Sequence, residues 1–120
     1  MALICERKWP MKYHAHIYWQ NDKQRRIAME LRLTLHDYGC GLGRIRDEAV
    51  GPHRFPMYQA SYTGEIQPKV EEFLRTNSLG ISILLHENIG EDHLRDHTEG
   101  ARWIGQALPL DLDFLRNLES

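Results

Sequence analysis

The chain has 120 residues, enough for one domain with a single core and too few for two. Hydrophobic residues make up 42% and charged residues 27%, a balance that predicts a folded globular protein and excludes a disordered one. The formal net charge is −2 with neutral histidines, so no global basic field exists to hold nucleic acid.

The chain opens "MALICERKWPMKYH", with an apolar run of only four residues before Glu6. That is too short for a signal-peptide core, and nothing later approaches a membrane span, so neither export nor membrane association is expected. Cys5 and Cys40 are isolated, without CxxC spacing. They are predicted to be reduced thiols in a cytoplasmic protein.

"YHAHIYW" at 13–19 alternates and is rich in aromatic and β-branched residues, the pattern of a strand. A helix follows, capped by Asn21 or Asp22 and stopped by Gly39. Ile27, Leu31 and Leu35 recur at fourfold spacing as its apolar stripe, with Arg25, Arg26, Glu30 and Arg32 on the wet side. Two strands are predicted next, a short one near 42–46 and a longer one from Phe55 to Tyr62. "GPHRFP" between them is punctuated by Gly and Pro, which puts His53 on a loop or strand entry. A second helix carries Val70, Phe73 and Leu74 inward, with Pro68 in its first turn. "ISILLHEN" is a further strand. Helical character is predicted from Asp92 to Ile104, followed by the tail "LPLDLDFLRNLES".

Strand, helix, strand, strand, helix, strand is the ferredoxin-like βαββαβ order, here with an extra C-terminal helix on a single α+β domain spanning 1–120. Helices cover one sheet face. The other face is open unless a second subunit or the C-terminal segment covers it, which motivates a homodimer.

Seven histidines stand out, and strand parity sorts them. Tyr13, Ala15, Ile17 and Trp19 share one face of the first strand, and His14, His16 and Tyr18 share the other. In the last strand Ile81, Ile83 and Leu85 oppose Ser82, Leu84 and His86. First and last strands are antiparallel neighbours in this fold, so His14, His16 and His86 converge on the open face, with Met57, Gln59 and Ser61 on the third strand beside them. Neutral imidazoles so placed suit Fe, Zn, Cu or Ni. His93 and His97 are spaced to share a helix face, but no HExxH exists. His36 suits a helix C-terminus. "GCGLG" lacks phosphate-loop spacing and reads as a helix stop followed by a turn.

Four segments together resemble a known family: "YHAHIYW" at 13–19, "GPHRFPMYQ" at 51–59, "SILLHEN" at 82–88 and "LRDHTEGARWIGQALPLDL" at 94–112. They are similar to the DOPA 4,5-dioxygenase family of small bacterial and fungal proteins. The resemblance implies a dimeric ferredoxin-like fold and extradiol cleavage of a catechol with non-haem Fe(II) and O₂, Zn or Ni being substitutes in purified protein. Carried over residue by residue, the family's histidines fall on His14, His16, His53, His86 and His97. The chain departs from the family's HPNT after the last strand, reading "HENI".

On this resemblance His16, His53 and His86 are the expected metal ligands, and His14 and His97 the expected acid/base or orienting groups. Arg54, Tyr18 and Met57 are the expected substrate contacts, with Arg44 and Arg46 as further candidates for a substrate carboxylate. Iron oxygenases commonly add a carboxylate to two histidines. Either an all-histidine site or one completed by Asp96 or Glu99 fits the sequence. The residues also admit a non-enzymatic metal- or ligand-binding dimer acting as sensor or carrier, and an oligomerising module with no metal.

Overall fold

The computed structural model describes residues 12–49, 52–87 and 101–111. Strand β1 (Tyr13–Tyr18) leads into helix α1 (Asp22–Asp37). Asn21 caps α1, its side chain accepting from the Gln24 N–H at 2.9 Å. At the other end the chain reverses through Gly39, whose φ of 98° favours glycine. Strands β2 (Gly41–Leu42) and β3 (Met57–Tyr62), helix α2 (Gln67–Asn77), and strands β4 (Ile83–Glu87) and β5 (Ala101–Ile104) complete the described elements. Pro68 sits in the first turn of α2, where a missing N–H costs nothing.

The strands form one antiparallel sheet in the order β2-β3-β1-β4-β5. Strand β1 is central, with β3 on one side and β4 on the other. Its odd-numbered residues pack into the larger core: Ala15, Ile17 and Trp19 meet Ala28, Leu31 and Leu35 of α1 and Val70 and Leu74 of α2. Ile81, Ile83 and Leu85 join the same core, as parity requires.

The Tyr58 hydroxyl and the Glu71 carboxylate are buried on this side, and both are hydrogen-bonded. The Tyr58 hydroxyl donates to the Ala28 carbonyl at 2.6 Å. Glu71, 5% exposed, accepts from the Tyr62 hydroxyl, the Gln67 amide and the Arg102 guanidinium. A buried carboxylate is tolerable only with such donors. The Arg102 contact also ties β5 to α2.

The structure corrects three details. Residues 101–104 are a strand, not the end of a helix, while 92–100 lie outside the described residues. The reason is a period of two: Ala101 and Trp103 pack on one sheet face, and Ile104 packs on the other. The strand expected near 42–46 is only Gly41–Leu42, and Arg46 rejoins β3 through an isolated bridge to Met57. Arg32 is not on the wet side of α1. Its stem lies along the protein, its guanidinium sits 4.7 Å from the Tyr58 ring centroid, and it donates to the Gly43 carbonyl at 2.8 Å.

The face of the sheet away from the helices is not bare. Tyr18, Met57, Leu84 and Leu108 are buried together, with Phe55, Trp103 and Leu110 packed around them. The chain turns onto this face at Gly105, whose φ is 77° and where an added Cβ would lie 2.6 Å from the Ile81 carbonyl oxygen. Only glycine permits that approach.

Leu74→Ala should cost about 2–5 kcal/mol of stability, because Leu74 is fully buried between α2 and the sheet. Leu33→Ala, at a side chain 73% exposed, should stay within about 0.5 kcal/mol of the parent. Urea unfolding of both variants checks the assignment of the helix faces.

Candidate metal centre

The second sheet face carries the histidines. His14 of β1 and His86 of β4 are directly opposed in the antiparallel register, and His16 lies two residues further along β1 on the same face. Directly opposed and diagonal side chains on one face are the pairs that touch in a sheet. One ligand nitrogen from each of His14, His16 and His86 can be chosen so that all three lie within 4.8 Å of one another. His16 and His86 are buried and His14 is half-buried.

The closest contact is His16 Nε2 to His86 Nε2, at 2.9 Å with the rings nearly parallel. A second bond decides the tautomer of one partner. His86 Nδ1 lies 3.1 Å from the Glu87 carbonyl oxygen, which can only accept, so Nδ1 carries the proton. The lone pair of neutral His86 is then on Nε2, facing His16, and His16 donates its Nε2 proton to it. This arrangement fits a metal. Two imidazoles binding one ion at about 2.1 Å and roughly at right angles hold their nitrogens about 3.0 Å apart, and the ion replaces the shared proton. An N–H donating to a backbone carbonyl is also a usual way to orient a ligating imidazole.

His53 reaches the site from the loop before β3. Its ring centroid is 4.4 Å from that of His16, and its Nδ1 lies 2.6 Å from the Tyr18 hydroxyl. Tyr18 is 1% exposed, and burial pushes its phenol well above the usual tyrosine range, so it stays protonated. The loop is held by the segment after β5: His53 bridges to Leu110, and the Asp111 N–H donates to the Pro52 carbonyl at 2.7 Å. Trp103 stacks on Tyr18 with centroids 5.8 Å apart.

Beside the histidines an open cleft of about 340 Å³ is lined by His16, His53, Met57, Gln59, Arg44 and Arg46. The expected substrate contacts divide here. Met57 lines the cleft, Tyr18 is buried behind His53, and Arg54 is exposed and does not line it. His93, His97, Asp96 and Glu99 lie outside the described residues. Glu87 follows strand parity onto the opposite side from His86 and is exposed, so among the described residues no carboxylate joins the three imidazoles. His36 is exposed at the end of α1. Cys40 belongs to the helix-side core, where burial pushes its thiol up to about 11, so it is neither a ligand nor a nucleophile here.

The model of the Dopa 4,5-dioxygenase family matches residues 13–114. The chain belongs to that family. All of the histidines just placed fall within the matched span. Among solved structures, a Nostoc punctiforme PCC 73102 protein described as a "putative dioxygenase" is similar to this Dopa 4,5-dioxygenase family member, with a TM-score of 0.84 and 36% identity over 89% of this chain and 92% of the other. A Botryotinia fuckeliana protein named "Uncharacterized 21.2 kDa protein" is 32% identical over 115 residues, covering 88% of this chain. The chain spans 63% of that relative's length. A dioxygenase-like function and a histidine metal site are thus supported by family, neighbour and geometry together. Among the described residues no helix is long and apolar enough to cross a membrane.

The contact between Tyr18 and His53 was not foreseen in the sequence, whereas covering of the open face by the C-terminal segment was one of the two expected alternatives, and Leu108 and Leu110 pack there.

His16→Ala and His86→Ala should each weaken Co(II) or Zn(II) binding by more than about 100-fold, since few ligands hold the ion and none can be spared. His36→Ala should leave it unchanged. Chelator competition on tag-free protein measures all three.

Proposed function

We propose that this chain is an extradiol ring-cleaving dioxygenase that acts on a catechol with non-haem Fe(II) and O₂. The observation that carries the reading is the cluster of His14, His16 and His86 on one sheet face, beside an open cleft, in a chain of this family. The geometry favours His14 over His53 as the third ligand. His14 lies within the cluster of mutually close nitrogens, whereas His53 is engaged through Nδ1 by Tyr18. Bound iron would supply the chelation of both catechol oxygens and the activation of O₂.

The chain's own residues do the rest. His86 is oriented by the Glu87 carbonyl and offers Nε2. Tyr18, held protonated, donates to His53 Nδ1, which leaves the His53 proton on Nε2 at the cleft wall. There His53 can exchange a proton with the substrate, the role the family resemblance gave to His14 and His97. Met57 lines the cleft and joins it to the apolar patch that Phe55 also packs against, an apolar support for an aromatic ring.

The same proposal reads the order β2-β3-β1-β4 among the described residues as a ferredoxin-like sheet to which β5 is added at the edge. The homodimer has a narrower basis than the sequence suggested. Phe55, Trp103, Leu108 and Leu110 of the same chain pack on the face a second copy was to cover. Sedimentation at micromolar concentration separates a 14.1 kDa particle from a pair.

Anaerobic loading with Fe(II), followed by catechols and O₂, tests the reading. The expected result is a yellow ring-opened semialdehyde and consumption of one O₂ per ring. Stoichiometric metal without turnover on any catechol would instead indicate a sensor or carrier. His53→Ala should keep its metal and lose turnover by about 10² to 10⁴-fold, the usual cost of a missing proton-transfer group. An emptied site in that variant returns His53 to the ligand set.

A further inference from the structure

We infer that Tyr18 and Trp103 form an electron path that drains oxidising equivalents from the histidine site to the protein surface. This rests on the iron and O₂ chemistry proposed above and adds a protective activity that needs no catechol.

The path is continuous. The His53 ring lies 4.4 Å from that of His16, centroid to centroid, and its Nδ1 accepts from the Tyr18 hydroxyl at 2.6 Å. The Tyr18 ring stacks on Trp103 with centroids 5.8 Å apart and planes 28° from parallel. Trp103 is half-buried on β5, the strand at the edge of the sheet. The chain of contacts therefore runs from the imidazoles to a ring that solvent reaches.

The residue types fit this use better than packing alone. Met57, Leu84 and Leu108 fill the same patch with aliphatic side chains, and Phe55 supplies an aromatic ring there. Packing asks only for such apolar volume. A phenol and an indole give up an electron more readily than any of these, and here the two are in contact. The pairs Trp19–Tyr58 and Tyr13–Tyr62 lie in the helix-side core, away from the imidazoles.

The need follows from the chemistry of the site. O₂ reduced there without ring cleavage leaves a reactive oxygen species, a one-electron oxidant, beside Met57, whose thioether is open to oxidation to the sulfoxide. Tyr18 gives that oxidant one electron. At 1% exposure the hydroxyl is kept from water, so its proton passes to His53 Nδ1, leaving a neutral phenoxyl radical and an imidazolium. Trp103 then gives one electron to Tyr18, His53 returns the proton, and the Trp103 indole releases its own proton to solvent. A soluble hydrogen-atom donor, such as ascorbate, restores Trp103. In total the donor loses one hydrogen atom, the oxidant gains the electron and the solvent gains the proton.

The test loads the protein with Fe(II), confirms the loading, and adds hydrogen peroxide without any catechol. Freeze-quench electron paramagnetic resonance should show a neutral tyrosyl radical in the parent. Tyr18→Phe should lose most of that signal. Tyr38→Phe, at a ring that packs on Phe73 over the helices, should keep it. Redox-silent Zn(II)-loaded protein should give none. Trp103→Phe retains an aromatic ring beside Tyr18 but cannot be drained to ascorbate. Its tyrosyl radical should outlive the parent's, and Met57 sulfoxide, read by peptide mass spectrometry, should accumulate several-fold faster. A protein that binds iron but cleaves no catechol leaves this test intact, whereas failure to bind iron removes both readings. If the parent forms no radical at Tyr18, the inference is overturned. It is equally overturned if radical lifetime and Met57 oxidation in Trp103→Phe match the parent, because the two rings are then only packed together.

Discussion

The alternation of strand β1 is the constraint on which everything else rests. Its odd residues anchor the core beneath both helices, and its even residues build the histidine face. Because the strand is paired on both sides, its register is fixed twice, once to β3 and once to β4. A slip by one residue would send His14 and His16 into the helix-side core and Ile17 into the site. Fold and site therefore share one determinant: the core fixes which face carries the imidazoles, and local hydrogen bonds then orient the rings.

Around that strand the two faces solve different problems. The helix side surrounds its buried carboxylate, Glu71, with three donor residues. The other side gathers imidazoles whose nitrogens face one another and lets apolar residues from the end of the chain close over the rest. Gly105 is the pivot between the two, since its lack of a Cβ lets the chain pass close to β4 before crossing to the second face. Arg102 and Trp103, adjacent in β5, serve opposite sides, one reaching Glu71 and the other stacking on Tyr18.

Much of this was legible in the sequence because period-two and fourfold patterns report directly on which residues share a face. "YHAHIYW" and "SILLHEN" placed His14, His16 and His86 together, and the stripe of Leu31 and Leu35 located α1. What was not legible depended on long-range contacts with no local period. "ARWI" carries a mixture of residues compatible with a helix, and only its pairing to β4 makes it a strand. Arg32 looked exposed because helical position says nothing about a long stem that bends over Tyr58. His53 could be assigned to a loop, but its partner Tyr18 is 35 residues away in sequence, and the bridge to Leu110 is farther still.

The acceptor that fixes His86 is a main-chain carbonyl, that of Glu87. Every residue type supplies one, so the side chain at position 87 is free to vary without disturbing the imidazole. The wall that carries Arg44 and Arg46 is likewise attached through backbone bonds at Gly43 and Arg46, leaving the arginine side chains outside the scaffold. In both places the main chain makes the attachment, so a change of side chain at position 87 or on the 44–46 tract leaves the path of the backbone and the setting of the imidazole in place.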